Sequence, residues 1–328
     1  MAVGKHNRGL NLKTVLLTDP IATAGEELLS RSANVVRAPD SAPATIRALA
    51  RDADGVIIRS KLPDDIFTAA PRLRAVAVHG TGTDLVPLAA ATEHGVMVAN
   101  LPGINAQSVA EYCAMAMLML ARNVVAISAA LRGDTWDRAR ALGARAHELA
   151  GMTLGIVGVG EIGGRLARIA RQGFGMRVLG NQRRLDRLPP DAEPSSLDEL
   201  LKISDFVVLA CPLTPETHHL LNRKTLGLMK PGAWLVNIGR GAVVDENALV
   251  SFLKDKKIAG AMLDVYEHYR LEPGHPLFSL DNVILTPHLA AVTQQARARA
   301  SVAAASEMLR MLAGEPPRNF VNPEALKR

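Results

Sequence analysis

The segment TLGIVGVGEIGGRLARIARQGFGMRVLG, residues 153–180, limits the fold more than any other stretch of the chain. An apolar strand runs into Gly158-Val159-Gly160-Glu161-Ile162-Gly163. A helix follows with Leu166, Ile169 and Ala170 on one face, and a second strand, MRVLG, closes the unit. Isolated glycines often only make turns, but strand, glycine turn, helix and strand in this order give GxGxxG its meaning. Gly158 permits the tight turn, Gly160 lets the backbone approach a pyrophosphate, and Gly163 lets the helix pack closely on the strand. The helix start adds amides and positive potential. The segment predicts a parallel βαβ unit that binds a dinucleotide.

The same alternation runs through the rest of the chain. TVLLTD (14–19), NVVRAP (34–39), GVIIRS (55–60), LRAVAVHG (73–80) and GVMVAN (95–100) read as strands, with helical patterns such as ATIRALA and DDIFTAA between them. A second block gives TLGIVGV, MRVLG, DFVVLAC, AWLVNIG, IAGAMLDV and NVILTP. Strands alternating with helices imply α/β architecture, with parallel sheets covered on both faces. At 328 residues the chain exceeds one hydrophobic core, so two domains are expected. A long apolar helix near 105–130 joins the blocks. The final helical stretch, 291–313, has no sheet of its own and is expected to return to the first block. That makes one domain discontinuous, 1–104 plus 291–328, around a dinucleotide-binding domain at 105–290.

Composition removes several classes of function. Two cysteines, Cys113 and Cys211, make no disulfide framework and show no metal-ligand spacing, which suits a reducing cytoplasm. The N-terminal residues lack the apolar core of a signal peptide. The most apolar run, Tyr112 to Ala121, is about half the ~20 residues of a membrane span, is ended by Arg122-Asn123, and reads as a buried helix. A net charge of +6 is dispersed, with no aromatic-interleaved basic stripe, so nucleic acid is not the expected partner. A basic surface suits an anionic substrate and a phosphate-rich cofactor. Met115, Met117 and Met119 read as packing residues. His218-His219, near a helix start, lack further ligands that the sequence can place, so no metal is expected.

The end of the second strand bears on the cofactor. An Asp or Glu ~20 residues on would hold the ribose 2′-hydroxyl of NAD. This chain has Gln182-Arg183-Arg184 instead, and a guanidinium pairs with a 2′-phosphate. NADPH is expected over NADH, with NADH as the alternative. Ligands of open α/β sheets gather at the carboxyl ends of strands. There the chain places Arg59-Ser60, His79-Gly80-Thr81, Cys211-Pro212, Gly239-Arg240-Gly241, Asp264 and Pro287-His288. A 2-keto acid reductase needs a cation for the carboxylate, an acid to protonate the forming alkoxide, and exclusion of water. Arg240, between two glycines that keep its loop open, suits the first role. His288, with a reference pKa near neutrality, suits the second.

GINAQSVAEY, NIGRGAVVDENAL, AMLDVYE and HPLFSLDNVILTPHLAA resemble the signatures of the D-isomer-specific 2-hydroxyacid dehydrogenases, and the resemblance runs in that family's order from about Leu16 to Asn322. These include glyoxylate/hydroxypyruvate reductases, phosphoglycerate dehydrogenases and formate dehydrogenases. The resemblance implies a Rossmann NAD(P)-binding domain inserted into a flavodoxin-like catalytic domain, usually as a homodimer. It implies that Arg240 binds the substrate carboxylate and polarises the keto oxygen, and that His288 is the general acid–base. Asp264 would hold the nicotinamide carboxamide. Arg59, Ser60, His79, Gly80, Thr81 and Asn105 would line the substrate pocket. Glu161, Ile162, Cys211, Pro212, Thr217, Ile238, Gly239 and Ala290 join the glycines and residues 182–184 around the cofactor.

The chain departs from the family pattern Asp-Val-Phe-x-x-Glu-Pro-Leu, whose Glu pairs with the catalytic His. Counted without gaps from Asp264, that Glu falls on Tyr269 and the Pro on Arg270; Glu267 lies two residues earlier and Glu272-Pro273 three later. Either Tyr269 or Glu272 partners His288. The alternatives to a keto-acid reductase are an NAD-linked enzyme of the phosphoglycerate type and a non-catalytic nucleotide-sensing scaffold.

Overall fold

The computed structural model describes residues 12–133 and 135–327. Among them, the residues up to Asn105 together with those from Thr293 form one compact unit, and Ala106–Val292 forms the other.

The first unit holds β1 (Lys13–Leu17), β2 (Ala33–Arg37), β3 (Gly55–Ile58), β4 (Ala75–Val78) and β5 (Met97–Ala99). All are parallel, in the order β2-β1-β3-β4-β5, the flavodoxin-like arrangement. Successive side chains of a strand point to opposite faces, so each strand feeds two cores. Val56, Ile58, Val76 and Val78 pack under the helices Pro43–Ala50, Ile66–Ala69 and Leu88–Glu93. Ile57, Ala75 and Ala77 pack on the other face with Ala304 and Met308 of the helix Gln294–Leu312. Thr293 starts that helix, its hydroxyl accepting from the Ala296 N–H. The helix lies close against Thr23–Ser30, because a Cβ on Gly25 would sit 2.5 Å from the Ser301 backbone.

The second unit holds β6 (Thr153–Val157), β7 (Arg177–Asn181), β8 (Glu193–Pro194), β9 (Phe206–Leu209), β10 (Trp234–Asn237), β11 (Gly260–Leu263) and β12 (Val283–Leu285). They are parallel, in the order β12-β11-β10-β9-β6-β7-β8. The chain leaves β6 in one direction and resumes on its other side at β9, so the switch point of the Rossmann order lies between these two strands. Leu154, Ile156, Phe206 and Val208 face one core with Val109 and Leu166, while Val157, Val207 and Leu209 face another with Leu200 and Leu249.

One expected element is corrected. The apolar stretch near 105–130 is two helices, Ala106–Arg122 and Val124–Gly133, bent by 57° at Asn123. Asn123 has φ +50°, a left-handed backbone that Asn tolerates better than most residues. Ala106–Arg122 buries Val109, Cys113 and Met117 in the core that holds Leu154 and Ile156, whereas Val124–Gly133 buries no residue. No single helix among the described residues is long and apolar enough to cross a membrane.

Candidate active site

The glycine turn follows β6 directly. Gly158 has φ +94°, and a Cβ there would lie 2.5 Å from the Cys211 amide nitrogen at the end of β9. A Cβ on Gly163 would lie 2.5 Å from the Gly158 carbonyl oxygen. Both glycines are therefore demanded by the chain's own packing. A Cβ on Gly160 would meet nothing within 4 Å, and Gly160 caps the helix Glu161–Arg168. Open space at the middle glycine, over a helix N-terminus at the switch point, fits the pyrophosphate of a dinucleotide.

At the end of β7, Gln182 donates to the Arg184 carbonyl at 2.8 Å, and Arg183 is exposed. Arg184 is tied at 2.8 Å to Asp186, a carboxylate just beyond the strand end, and both are well exposed. Exposed pairs of this kind are weak and exchange easily. At the end of β9, Cys211 is buried, and burial raises its thiol pKa, so it is not poised as a nucleophile. Thr217 donates to the Pro212 carbonyl at 2.7 Å and closes this loop on itself.

Arg240 follows β10. Its flanking glycines do not keep the loop open, as the sequence suggested. A Cβ on Gly241 would sit 1.9 Å from the Tyr266 carbonyl carbon, and one on Gly239 would sit 2.8 Å from the Cys211 oxygen, so both are contact points with neighbouring strand ends. The half-buried Arg240 guanidinium donates to the Gly239 oxygen at 2.9 Å. Asn237 holds the turn: its amide donates to the Arg240 carbonyl at 3.1 Å, and its oxygen accepts from the Gly239 N–H at 3.1 Å. Asn237 was missed in the sequence, although a buried polar residue ending an apolar strand is the signal for such a clamp.

Asp264, at the end of β11, is buried and accepts from the Thr286 hydroxyl at 2.7 Å, the Leu289 N–H at 2.7 Å and the Ala290 N–H at 2.9 Å. Its carboxylate thus fastens the segment after β12. Its carbonyl accepts from the His288 N–H at 2.9 Å. Tyr266 adds a further tie, donating from its hydroxyl to the Thr286 carbonyl at 2.9 Å. Burial, with Asp264 beside it, pushes the Tyr266 phenol up to about 12, so it stays a donor. Tyr112 also hydrogen-bonds the Thr286 hydroxyl.

His288 emerges from this frame exposed, with φ +57°. Tyr269, with φ +59°, stands edge-on to its ring at 6.3 Å between centroids. Glu272, the other proposed partner, is exposed and its carboxylate makes no hydrogen bond or ion pair among the described residues. The chain turns away there: the Glu272 carbonyl accepts from the His275 N–H and Gly274 has φ +84°. A cavity of about 540 Å³ opens beside His288, lined by Tyr266, Tyr269, Arg270, Phe278 and Leu285.

In the first unit the expected substrate residues gather at the carboxyl ends of β3, β4 and β5. Ser60 donates to Asp19 at 3.0 Å, Arg59 to the Pro20 carbonyl at 3.3 Å, and Thr81 to the Leu101 carbonyl at 3.1 Å. Gly80 and Asn105 stand on the same edge, the Gly80 carbonyl accepting from the Leu101 N–H at 2.8 Å. His79 is turned inward, its Nε2 2.8 Å from the Ser301 hydroxyl. Burial and the Arg59 and Arg297 guanidinium groups lower its pKa from the ordinary 6.5 to about 4, against the opposing pull of Asp19.

A Rossmann-ordered sheet with a dinucleotide turn at its switch point, and with Arg and His on strand ends flanking Asp264, defines a nicotinamide-dependent oxidoreductase. Residues 114–290 match the model of the D-isomer specific 2-hydroxyacid dehydrogenase NAD binding domain. The glyoxylate reductase of Aeropyrum pernix is 40% identical over 295 residues, covering 86% of this chain and 87% of that protein. The structure of the NADPH-dependent glyoxylate/hydroxypyruvate reductase of Sinorhizobium meliloti, in complex with NADP and malonate, has a TM-score of 0.82 at 29% identity over 95% of this chain and 97% of that one. The NAD-dependent formate dehydrogenase of Staphylococcus aureus, in complex with NAD, has a TM-score of 0.84 at 27% identity over 94% and 99%. The chain belongs to the D-isomer specific 2-hydroxyacid dehydrogenases, and is an NAD(P)-dependent oxidoreductase of 2-hydroxy and 2-keto acids.

Proposed function

We propose that this chain reduces glyoxylate, hydroxypyruvate or a similarly small 2-keto acid, with NADPH as its preferred cofactor. The reading rests chiefly on the placement of Arg240 and His288 at the ends of β10 and β12, on either side of the Asp264 anchor. Gly158, Gly160, Gly163 and the amides of the helix start would hold the pyrophosphate, with Gln182, Arg183 and Arg184 at the adenosine ribose. Thr217, Ile238 and Ala290 complete the expected cofactor contacts. When bound, the nicotinamide supplies the hydride. The Arg240 guanidinium holds the substrate carboxylate and draws electron density toward the keto oxygen, as a fixed cation stabilises charge developing there. His288, as imidazolium, donates its proton to that oxygen as it becomes an alkoxide. Arg59, Ser60, Gly80, Thr81 and Asn105 are the residues of the first unit assigned to the substrate. His79 sits among them as a neutral group bound to Ser301.

Initial-rate reduction of glyoxylate, hydroxypyruvate, pyruvate and phenylpyruvate, with NADPH and NADH in parallel, tests this reading. Turnover of the two smaller acids with lower KM for NADPH supports it, and Arg183→Ala with Arg184→Ala should erase the cofactor preference without touching kcat. Tight NADPH binding with no turnover of any acid would instead favour the scaffold alternative.

The protein is further proposed to be a homodimer. Leu118, Val124, Val125, Leu131 and Trp136 are exposed large apolar side chains clustered in sequence around the helix Val124–Gly133, and Trp136 is 65% exposed. Apolar side chains concentrated on one segment mark an association surface. Val125→Asp should convert a dimer to a monomer by light scattering; a wild-type monomer would refute the assignment.

A further inference from the structure

A second group of chemistry-bearing side chains lies in the same unit, where the turn that follows the Cys211-Pro212 loop meets the segment after β11. His218, His219 and Glu267 bring two imidazoles and a carboxylate together, with one ligand atom from each within 4.8 Å of the others. His219 Nε2 is 2.8 Å from Glu267 Oε1, and the two imidazole rings stack at 4.0 Å between centroids. We propose that these three residues form a binding site for a divalent ion of the zinc class. The sequence supplied the adjacent histidines but could not place the carboxylate, which arrives from the segment after β11.

The donor set has the right chemistry. Two imidazoles and a carboxylate are the ligands of many zinc sites that keep a fourth position for water, and the same set suits Co²⁺. With metal–ligand bonds of about 2.0–2.2 Å, tetrahedral ligand atoms stand about 3.3–3.6 Å apart. The present spacing therefore requires His219 and Glu267 to part slightly and the exposed His218 ring to swing in.

The backbone around the three ligands is already held. His218 N–H donates to the Thr214 carbonyl at 2.9 Å and His219 N–H to the Ala242 carbonyl at 2.8 Å. The amide of Asn222 donates to the His219 carbonyl at 3.0 Å, which pins a residue of φ +48°. The Glu267 carboxylate is oriented from behind. Its Oε2 accepts from the Glu246 N–H at 3.4 Å, while the buried Glu246 accepts from the Glu267 N–H at 3.3 Å and stands 3.2 Å from His275 Nε2. An outer layer that fixes one carboxylate oxygen and leaves the other toward two imidazoles is how metal ligands are preorganised. The ion would tie the turn at 214–219 to the segment that carries Tyr269.

His218 separates this site from a simple His219–Glu267 hydrogen bond. Among the described residues its side chain makes only the ring stack, so its removal leaves that pair intact. The full chain, dialysed against EDTA, should bind one Zn²⁺ per chain by calorimetry. His218→Ala, His219→Ala and Glu267→Gln should each weaken binding by at least about tenfold. Co²⁺ should give visible d–d bands of a four-coordinate site that disappear in His218→Ala, even if His219→Ala does not fold. Absence of saturable Zn²⁺ binding, or equal affinity in wild type and His218→Ala, would overturn the proposal. Neither readout depends on the reductase reading.

Discussion

A methyl group at Gly163 would collide with the Gly158 carbonyl oxygen at 2.5 Å, whereas one at Gly160 would meet nothing within 4 Å. Gly163→Ala should therefore lower the thermal midpoint, because backbone must shift to admit it. Gly160→Ala should melt like the wild type yet bind NADPH at least about tenfold more weakly, since close approach of the pyrophosphate is the use of that glycine. Fluorescence titration and calorimetry on both variants check the pair, and equal NADPH affinity in Gly160→Ala would rule out the assigned binding mode. Tyr269 offers a second test at this scale. A carboxylate beside an imidazolium raises its pKa by about 1–3 units. Tyr269→Glu should therefore extend keto-acid reduction to higher pH, because His288 would keep its proton longer. Glu272→Gln should leave the profile unmoved, and a profile that shifts only in Glu272→Gln would reverse the assignment of the neighbour.

Among the elements, strands with full apolar faces were legible in the sequence. GVIIRS became β3 because Val56, Ile57 and Ile58 are buried on both sides, and DFVVLAC became β9 for the same reason. β8 was not legible, because the two residues Glu193 and Pro194 on a sheet edge carry no pattern. The bend at Asn123 was only half legible: Arg122-Asn123 ends the apolar run, but apolar residues resume at Val124, and nothing local shows that a left-handed φ turns the chain into a second helix there. The partners of the site residues were equally hidden, since Asp264 meets Leu289 and Ala290, and Glu267 meets His219, only after the sheet has formed. Asn123→Ala should cost about 1 kcal/mol, the penalty of placing a Cβ without a compensating side-chain amide in that conformation. Asn123→Gly should be near neutral. Urea denaturation of the two variants measures the difference, and equal destabilisation would show that the backbone conformation is not what matters there.

For the molecule as a whole, His79 contributes one part of the dependence of stability on acid. Its folded pKa of about 4 lies below the ordinary 6.5 of an unfolded histidine. Between these values the unfolded chain binds a proton that the folded chain refuses. Stability attributable to this group is thus unaffected above pH 6.5 and is lost as pH falls toward 4. His79→Gln, which does not titrate, should flatten this part of the dependence of the urea midpoint on pH. Identical slopes in variant and wild type would remove His79 as the source.

His288 is displayed by a backbone that others hold in place. The Asp264 carbonyl receives its N–H, and the Asp264 carboxylate receives Leu289, Ala290 and Thr286. These fastenings engage the main chain at 288 and the residues beside it. The position then behaves as a socket whose occupant can be exchanged. Asn accepts a left-handed backbone, so His288→Asn should fold and load cofactor and keto acid while failing to deliver the proton. Such a variant would be a capture reagent: incubated with a metabolite extract and NADPH, then filtered, it would retain the acid the wild-type protein consumes.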